Sequence, residues 1–223
     1  MTPARWPCPS LAGEPVSEYA FVCDRGRDNR LLIVPALFDE GNRMRRFTVE
    51  VMRRLDALGI DSILPDLPGC NESLQPLAVQ TVDGWREAMA AAAEHFGATR
   101  ALGIRGGALF TPALPAWHYA PVKAASVLRN MIRSRILAAR EAGREEKREE
   151  LMAQAHSEGI ILAGYELGPQ LCQAFEALEA DGSATVMTQE QVGGSGLWLR
   201  AEPDEDAAQA DALAAIIAES MTA

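Results

Sequence analysis

The residue of this chain best suited to do chemistry is an arginine set among glycines. Arg105 follows a short apolar run, RALGI (100–104), and precedes Gly106 and Gly107. A guanidinium at the end of a buried strand must be paired, and it can also bind a carboxylate or a phosphate through two parallel hydrogen bonds. The acidic residues that we consider as its partners are Asp39, Glu40, Asp66 and Glu166. An ion-pair network that joins loops is the favoured interpretation, and an anion-binding site is the alternative.

Three further residues have side chains that could act as a nucleophile or a base. Cys70 and Ser73 lie in a turn-rich segment, PDLPGCNES (65–73), and His118 lies in PAWHY (115–119). A thiol needs a neighbouring base or cation to become a nucleophile, and Arg105 is a candidate for that neighbour. The alternative is that Cys70 is a small buried filler and that His118 is a packed or surface residue.

Strand and helix patterns alternate along the first half of the chain, which predicts an α/β fold. Such an alternation indicates a mostly parallel sheet with right-handed crossovers and helices on its faces. The predicted strands are 18–23, 31–34, 61–64 and 100–104, and the predicted helices are 45–58 and 82–96. Because Arg105 and the segment 65–73 follow strands, we expect them at the carboxyl edge of the sheet.

We expect the whole chain, 1–223, to form one domain. Its proline-rich start, 1–16, predicts an irregular arm, and 117–160 predicts a helical, lid-like insertion. The predicted elements after the insertion are a helix over 166–178, a strand over 197–200 and a closing helix over 204–219.

The predicted helix over 123–140 carries one sign of charge in an otherwise acidic chain. Its basic residues are Lys123, Arg129, Arg133, Arg135 and Arg140. This face could meet an anionic lipid or a sugar phosphate, and its Met and Leu residues could form a dimer contact. A solvated helix face is the simpler interpretation.

Composition narrows the functional classes. Hydrophobic residues make up 48% and charged residues 23%, which indicates a folded globular protein. The net charge of −10 argues against a general nucleic-acid binder, because such proteins need a basic surface. The four cysteines lack metal-ligand spacing, and the sequence has no phosphate-binding loop motif. Neither a metal nor any other cofactor is therefore implied. Without a signal-like or membrane-spanning apolar run, the expected location is the cytoplasm.

Three segments, taken in order, resemble the α/β-hydrolase superfamily. The segment 31–42 is similar to the strand and loop that supply one oxyanion-hole amide, and 63–73 is similar to the loop after the next strand. Residues 103–107, here called the elbow, stand where the motif Gly-x-Ser-x-Gly belongs, with both glycines present and Arg105 in place of the serine. The resemblance adds Phe38 and Gly106 to the candidate ligand-binding residues.

Residues 30–180 more specifically resemble the second type of hydrolase-like protein associated with exosortase A systems. The runs that carry this resemblance are PALFDEGNRMRR (35–46), PDLPGCNES (65–73), the elbow, PVKAASVLRNMIRSRI (121–136) and LAGYELGPQLCQAFEAL (162–178). It implies a role near exopolysaccharide production and protein sorting in a Gram-negative bacterium.

The residues argue against the chemistry that this fold usually performs. Arginine stays protonated and cannot attack a carbonyl, and none of the three histidines follows the last predicted strand, where the base belongs. We therefore expect a protein that binds a small anionic or acyl ligand without a standard triad. The alternatives are a hydrolase or acyltransferase that uses Cys70 or Ser73, and a non-catalytic partner in a complex, either a homodimer or a member of the exosortase system.

Overall fold

The structure is a computed structural model, and it describes residues 1–10 and 13–222. Its strands are β1 (Thr2–Cys8), β2 (Val16–Cys23), β3 (Arg30–Val34), β4 (Asp61–Pro65), β5 (Arg100–Ile104), β6 (Ala116–Tyr119), β7 (Ile160–Leu162), β8 (Tyr165–Leu167) and β9 (Thr185–Met187). Its helices are α1 (Phe38–Ala57), α2 (Val82–His95), α3 (Ala124–Glu141), α4 (Arg148–Ser157), α5 (Pro169–Glu176), α6 (Gln189–Val192) and α7 (Ala207–Thr222). Short 3₁₀ helices cover Leu77–Val79, Arg105–Phe110 and Leu197–Leu199.

Seven strands of the described chain form one sheet in the order β1-β2-β4-β3-β5-β6-β9. The five strands from β4 to β9 run parallel, whereas β1 and β2 are antiparallel to their neighbours. The predicted parallel sheet is therefore confirmed. The central strand β3 is apolar from Leu31 to Val34 and fully buried there, as expected for a strand covered on both faces.

Helices cover the two faces of the sheet and enclose two apolar clusters. Leu31 and Ile33 pack with residues of α1 and α7 on one face. Leu32 and Val34 pack with residues of α2, α3 and α5 on the other. This division follows from the alternation of side chains along a strand. The insertion helices α3 and α5 thus belong to the same apolar layer as α2.

The prediction of an irregular arm over 1–16 was wrong. Thr2–Cys8 is strand β1 at the edge of the sheet, with Trp6 and Cys8 buried against the core. Its prolines suggested a loop, but an edge strand tolerates proline because half of its N–H groups have no ladder partner. Part of the segment, residues 11 and 12, lies outside the described residues.

The structure also moves several element boundaries in the second half of the chain. The start of the expected insertion, 117–119, is part of β6, so the inserted helices and hairpin run from α3 to α5. The predicted helix over 166–178 begins as strand β8 and becomes helical only at Pro169. The predicted strand over 197–200 is a 3₁₀ turn.

Helix α1 begins at Phe38, seven residues before the predicted start at Arg45. Phe38 itself has a positive φ of 53°, which makes the turn from β3 into the helix abrupt. As a result, Asp39 and Glu40 occupy the first helical turn instead of a loop. Both carboxylates are therefore held rigidly beside the carboxyl end of β3.

Candidate functional site

The elbow, residues 103–107, makes a sharp turn directly after β5. Arg105 has a φ of 53°, a strained conformation for a side chain of this size, and begins a 3₁₀ helix. A Cβ on Gly103 would lie 2.5 Å from the Cα of Ala108, and one on Gly107 would lie 2.3 Å from the carbonyl oxygen of Val34. Only glycine fits at these two positions, as the sequence predicted for a strand that turns tightly into a helix.

The Arg105 side chain is held on three sides. Its Nε and Nη2 donate to the two carboxylate oxygens of Glu40, each at 3.0 Å, and its Nη1 donates to the carbonyl oxygen of Ala120 at 2.8 Å. The guanidinium carbon also lies 4.0 Å from the ring centroid of Trp198, within cation–π range. Only 12% of the Arg105 side chain is exposed, and the carboxylate of Glu40 neutralises the charge of its guanidinium.

The other three acids proposed as partners of Arg105 bind elsewhere. Oδ2 of Asp39 lies 3.9 Å from Nη2 of Arg43, and both of these side chains are partly exposed. Asp66 is fully buried and accepts from Arg45 at 2.9 Å and from Asn71 at 3.0 Å. Glu166 lies exposed on β8. Of the four candidates, Glu40 is the one whose carboxylate accepts hydrogen bonds from the Arg105 guanidinium.

Phe38 forms the centre of an aromatic contact between the sheet layer and the insertion. Its ring centroid lies 5.2 Å from that of Tyr165, 6.1 Å from Trp85 and 6.3 Å from Phe175. Because Phe38 is buried, its side chain is a packing anchor for the turn at the head of α1. Edge-to-face aromatic pairs of this kind add about 0.5–1.5 kcal/mol each beyond the area that they bury.

Cys70 lacks the activation that a thiol nucleophile needs. Burial, together with the negative charges of Asp66 and Glu18, raises the pKa of the Cys70 thiol to about 12. A thiol of this pKa stays protonated at neutral pH. The sequence suggested Arg105 as a cation that would activate this thiol. Instead, the guanidinium is bound to Glu40, and the charges that act on the pKa of Cys70 are those of Asp66 and Glu18.

Ser73 has a structural set of hydrogen bonds. Its hydroxyl donates to Glu18 at 2.7 Å and accepts from the backbone N–H groups of Gly69 at 2.9 Å and Gln75 at 3.3 Å. Glu18 is itself buried, and its other oxygen has no hydrogen-bond partner among the described residues. Ser73 therefore ties the loop after β4 to β2.

His118 lies on β6, buried, and its Nε2 is 3.0 Å from the hydroxyl of Thr111. Burial lowers the pKa of this imidazole, while the charge of Asp181 opposes the shift in part. His118 pairs in register with Gly103 on the neighbouring strand, but its side chain has no described contact with Arg105. A neutral, buried histidine bonded to a threonine is a packing feature here.

A pocket of about 270 Å³ opens beside Arg105 at the carboxyl edge of the sheet. Its walls come from the first turns of α1, from α3 and from the 3₁₀ turn that carries Trp198, and the residues with polar atoms there are Asp39, Glu40, Arg43, Arg105, Asn130 and Ser134. Two acids and two arginines balance to a formal charge of zero. Apolar side chains, among them Leu37, Val127 and Met131, line the rest.

The sequence did not point to several residues of this pocket. Trp198 contacts Arg105 from a segment far along the chain, and Asn130 and Ser134 project from a helix that was considered for its arginines. No local pattern marks such residues, because only the folded chain brings them to the elbow. In the described part of the chain, no group of His, Cys, Asp and Glu is arranged to hold a metal ion.

Comparison of sequences finds no matching protein family and no matching curated protein. Solved structures are similar to this one in fold. α/β-Hydrolase domain-containing protein 10 from mouse matches with a TM-score of 0.59 and 12% identity over 100% of this chain and 99% of that one. The esterase domain of a Rhodothermus marinus protein matches with a TM-score of 0.57 and 9% identity over 99% of this chain and 98% of that one.

The chain has the α/β-hydrolase fold. In this fold the nucleophile sits at a strained turn between a central parallel strand and the following helix. Arg105 occupies that turn, at the end of β5 and with a positive φ. At identities of 9% and 12%, these matches establish the architecture alone, and the resemblance to exosortase-associated proteins stays a prediction.

Proposed function

We propose that this protein binds an acyl-bearing small molecule in the pocket beside Arg105 and does not cleave it by serine-hydrolase chemistry. The observation that carries the proposal is the state of Arg105. It has the position and the backbone strain of a nucleophile, yet its guanidinium is bound to Glu40 next to an open pocket. A site of this shape keeps the binding geometry of the fold without its reactive group.

The remaining candidates for catalysis support a binding role. A nucleophile must lie within hydrogen-bond reach of a base. The Ser73 hydroxyl is bound to Glu18, the Cys70 thiol has a raised pKa, and the His118 imidazole faces Thr111. Among the described residues, no contact favours the alternative of a hydrolase or acyltransferase with an unconventional nucleophile.

Charge balance favours an acyl ligand over a strongly anionic one. Arg105 is matched by Glu40, and Arg43 lies near Asp39, so a phosphate would have to displace a carboxylate to reach a guanidinium. An acyl carbonyl or a single carboxylate needs only hydrogen-bond donors. Phe38 begins α1 and Gly106 follows Arg105 in the 3₁₀ helix, so the N–H groups of both residues lack partners within their helices. Both residues are among the candidate ligand-binding residues, and Phe38 lies in the segment 31–42 that resembles the source of one oxyanion-hole amide.

Calorimetric titration with octanoate and a hydrolysis assay with p-nitrophenyl octanoate test the proposal together. We expect the wild-type protein to bind octanoate and to show no turnover above the Arg105→Ala background. Asn130→Trp should fill the pocket and abolish binding, whereas Arg129→Trp, on the solvent-facing side of the same helix, should bind like wild type. Turnover that Arg105→Ala abolishes, or binding that Asn130→Trp leaves unchanged, would overturn the proposal.

The biological setting that we propose follows from the sequence resemblance. A cytoplasmic acyl-binding protein of the exosortase-associated kind would act near exopolysaccharide production. In the described residues, none of the helices is long and apolar enough to cross a membrane. Deletion of the gene in the host, followed by measurement of exopolysaccharide yield, tests this setting, and an unchanged yield would contradict it.

A second candidate function is that of a non-catalytic partner in a complex. The observation that favours it is the outer face of α3, where Arg129, Arg133 and Arg140 are exposed around Leu137, which is itself 56% exposed. Within the described part of the chain, none of these three arginines is paired with a carboxylate. Arg135 is excluded from this face because it is paired with Glu146. Light scattering of wild type and of Leu137→Glu would reveal a homodimer, and two monomeric proteins would argue against that form of the candidate.

A further inference from the structure

One side of α3 lines the elbow pocket and then continues past it. Val127, Asn130, Met131 and Ser134 line the pocket beside Arg105. Ser134, Arg135, Ala138 and Ala139 line a second cavity farther along the helix. These positions follow the i, i+3, i+4, i+7 spacing of a single helix face, and at 1.5 Å per residue they extend over about 18 Å.

The second cavity, which we call the insertion groove, has a volume of about 650 Å³ and lies between α3, α4 and the β7-β8 hairpin. Its lining combines the apolar side chains of Ala138, Ala139, Ile161 and Ala163 with the polar or charged ones of Ser134, Arg135, Arg144, Glu146 and Gln154. Ile160 and Leu162 of β7 are buried in the core, whereas Ile161 between them is 59% exposed toward this groove. A large aliphatic side chain exposed in a concave surface is typical of a binding site for apolar groups.

The elbow pocket and the insertion groove meet at Ser134, which lines both. Asn130, Ser134 and Ala138, four residues apart, form an exposed row of short side chains along this side of α3. The amide of Asn42 donates to the hydroxyl of Tyr165 at 3.0 Å, which joins α1 to the β7-β8 hairpin that bears Ile161 and Ala163.

We propose that the two cavities form one channel for a linear acyl chain. The polar end of the ligand lies beside Arg105, and its hydrocarbon tail runs along α3 over Ser134 into the insertion groove. This inference rests on the proposed function and names its ligand class, a long-chain acyl compound in place of a short acid or ester.

The chemistry of the insertion groove fits a hydrocarbon better than a peptide. Two of the charged groups in its lining bind each other, since Arg135 donates to both carboxylate oxygens of Glu146 at 2.9 and 3.0 Å and to the carbonyl oxygen of Ile161 at 3.1 Å. A peptide would bring backbone N–H and C=O groups that need partners. The alanines and the isoleucine offer none, whereas an acyl chain needs only apolar surface.

Titration with butanoate, octanoate, dodecanoate and hexadecanoate, kept below their micelle-forming concentrations, tests the channel. A fully buried methylene tightens binding about fourfold, and in a half-open groove we expect about twofold per methylene beyond octanoate. Ala138→Trp should remove this gain and leave octanoate binding unchanged. Arg133→Trp, which places the same ring on the outer face of α3, should keep the gain.

The outcomes separate the two proposals. Octanoate binding with no dependence on chain length, or a gain that persists in Ala138→Trp, overturns the channel and leaves the proposed function intact. Failure of every acid to bind wild type overturns both. If Ala138→Trp does not fold by circular dichroism, Ile161→Glu serves instead, because it places a charge in the groove from an exposed position.

Discussion

Arg105 and Glu40 are joined by two parallel hydrogen bonds of 3.0 Å, and this pair connects the elbow after β5 to the first turn of α1. The side chains are 12% and 20% exposed, so water screens the charges only in part. The turn after β6 joins the same guanidinium through the carbonyl oxygen of Ala120. Three connections at the carboxyl edge of the sheet thus depend on one arginine.

Removal of the Glu40 carboxylate alone should lower the free energy of unfolding more than removal of both charges of the Arg105–Glu40 pair. Glu40→Ala leaves the Arg105 guanidinium without its counter-charge, and we expect it to lower the free energy of unfolding by about 2–3 kcal/mol. The double variant Glu40→Ala/Arg105→Met should recover part of this loss, because no buried charge remains. Urea unfolding of the single and double variants measures both effects. A double variant that is less stable than Glu40→Ala would contradict the prediction.

The elbow should not tolerate a methyl group on its first glycine. Gly103→Ala would bring the new Cβ to 2.5 Å from the Cα of Ala108, and we expect a loss of at least about 2 kcal/mol or failure to fold. Gly182→Ala is the matched control, since nothing lies within 4 Å of its Cβ position. Thermal unfolding compares them. Equal stability of the two variants would show that the turn relaxes easily.

Restoring a serine at the elbow should not restore hydrolysis. Arg105→Ser would place a hydroxyl in the position of a nucleophile, but His118, the candidate base, lies against Thr111. We expect p-nitrophenyl octanoate to be cleaved no faster than by wild type. A pre-steady-state burst of p-nitrophenol would reveal an acyl-enzyme and would contradict this expectation.

The cysteines should react slowly in the folded protein. Burial raises the pKa of Cys70 and of Cys8 to about 12 and that of Cys172 to about 11, and it also raises the pKa of Cys23. Thiolate populations at pH 8 are therefore small. Mass spectrometry after iodoacetamide treatment should show little labelling of native protein and four labels after denaturation. Rapid labelling of Cys70 in the native protein would contradict this prediction and would support Cys70 as a nucleophile.

Stability should fall as the pH drops below about 6.5, the usual pKa of histidine. Burial lowers the pKa of His118 in the folded state, so above this pH the imidazole is neutral in both states. Below it, the unfolded chain binds a proton that the folded chain does not, and stability declines until the lower folded pKa is reached. His118→Gln should flatten the decline seen in urea unfolding between pH 7 and 5, whereas exposed His95→Gln should not.

The sequence by itself determined the parallel sheet and the tight elbow, and it placed Arg105 where the serine of the motif Gly-x-Ser-x-Gly would stand. Short, mostly apolar runs between amphipathic helices leave few other folds, and glycines at both ends of the elbow are a local steric requirement. Strand β1 escaped prediction because the tolerance of Pro3 and Pro7 depends on an edge position that is not encoded locally.

Only the tertiary structure decided what Arg105 does. Four acids were compatible with pairing. The early start of α1 at Phe38 placed Asp39 and Glu40 in its first turn, and of these two the Glu40 carboxylate meets the Arg105 guanidinium. Trp198, Asn130 and Ser134 came to the same edge from distant segments. A local sequence pattern, such as the elbow glycines, shows where the backbone leaves no room for a side chain. The partner of a buried charge depends instead on which segments meet when the chain folds.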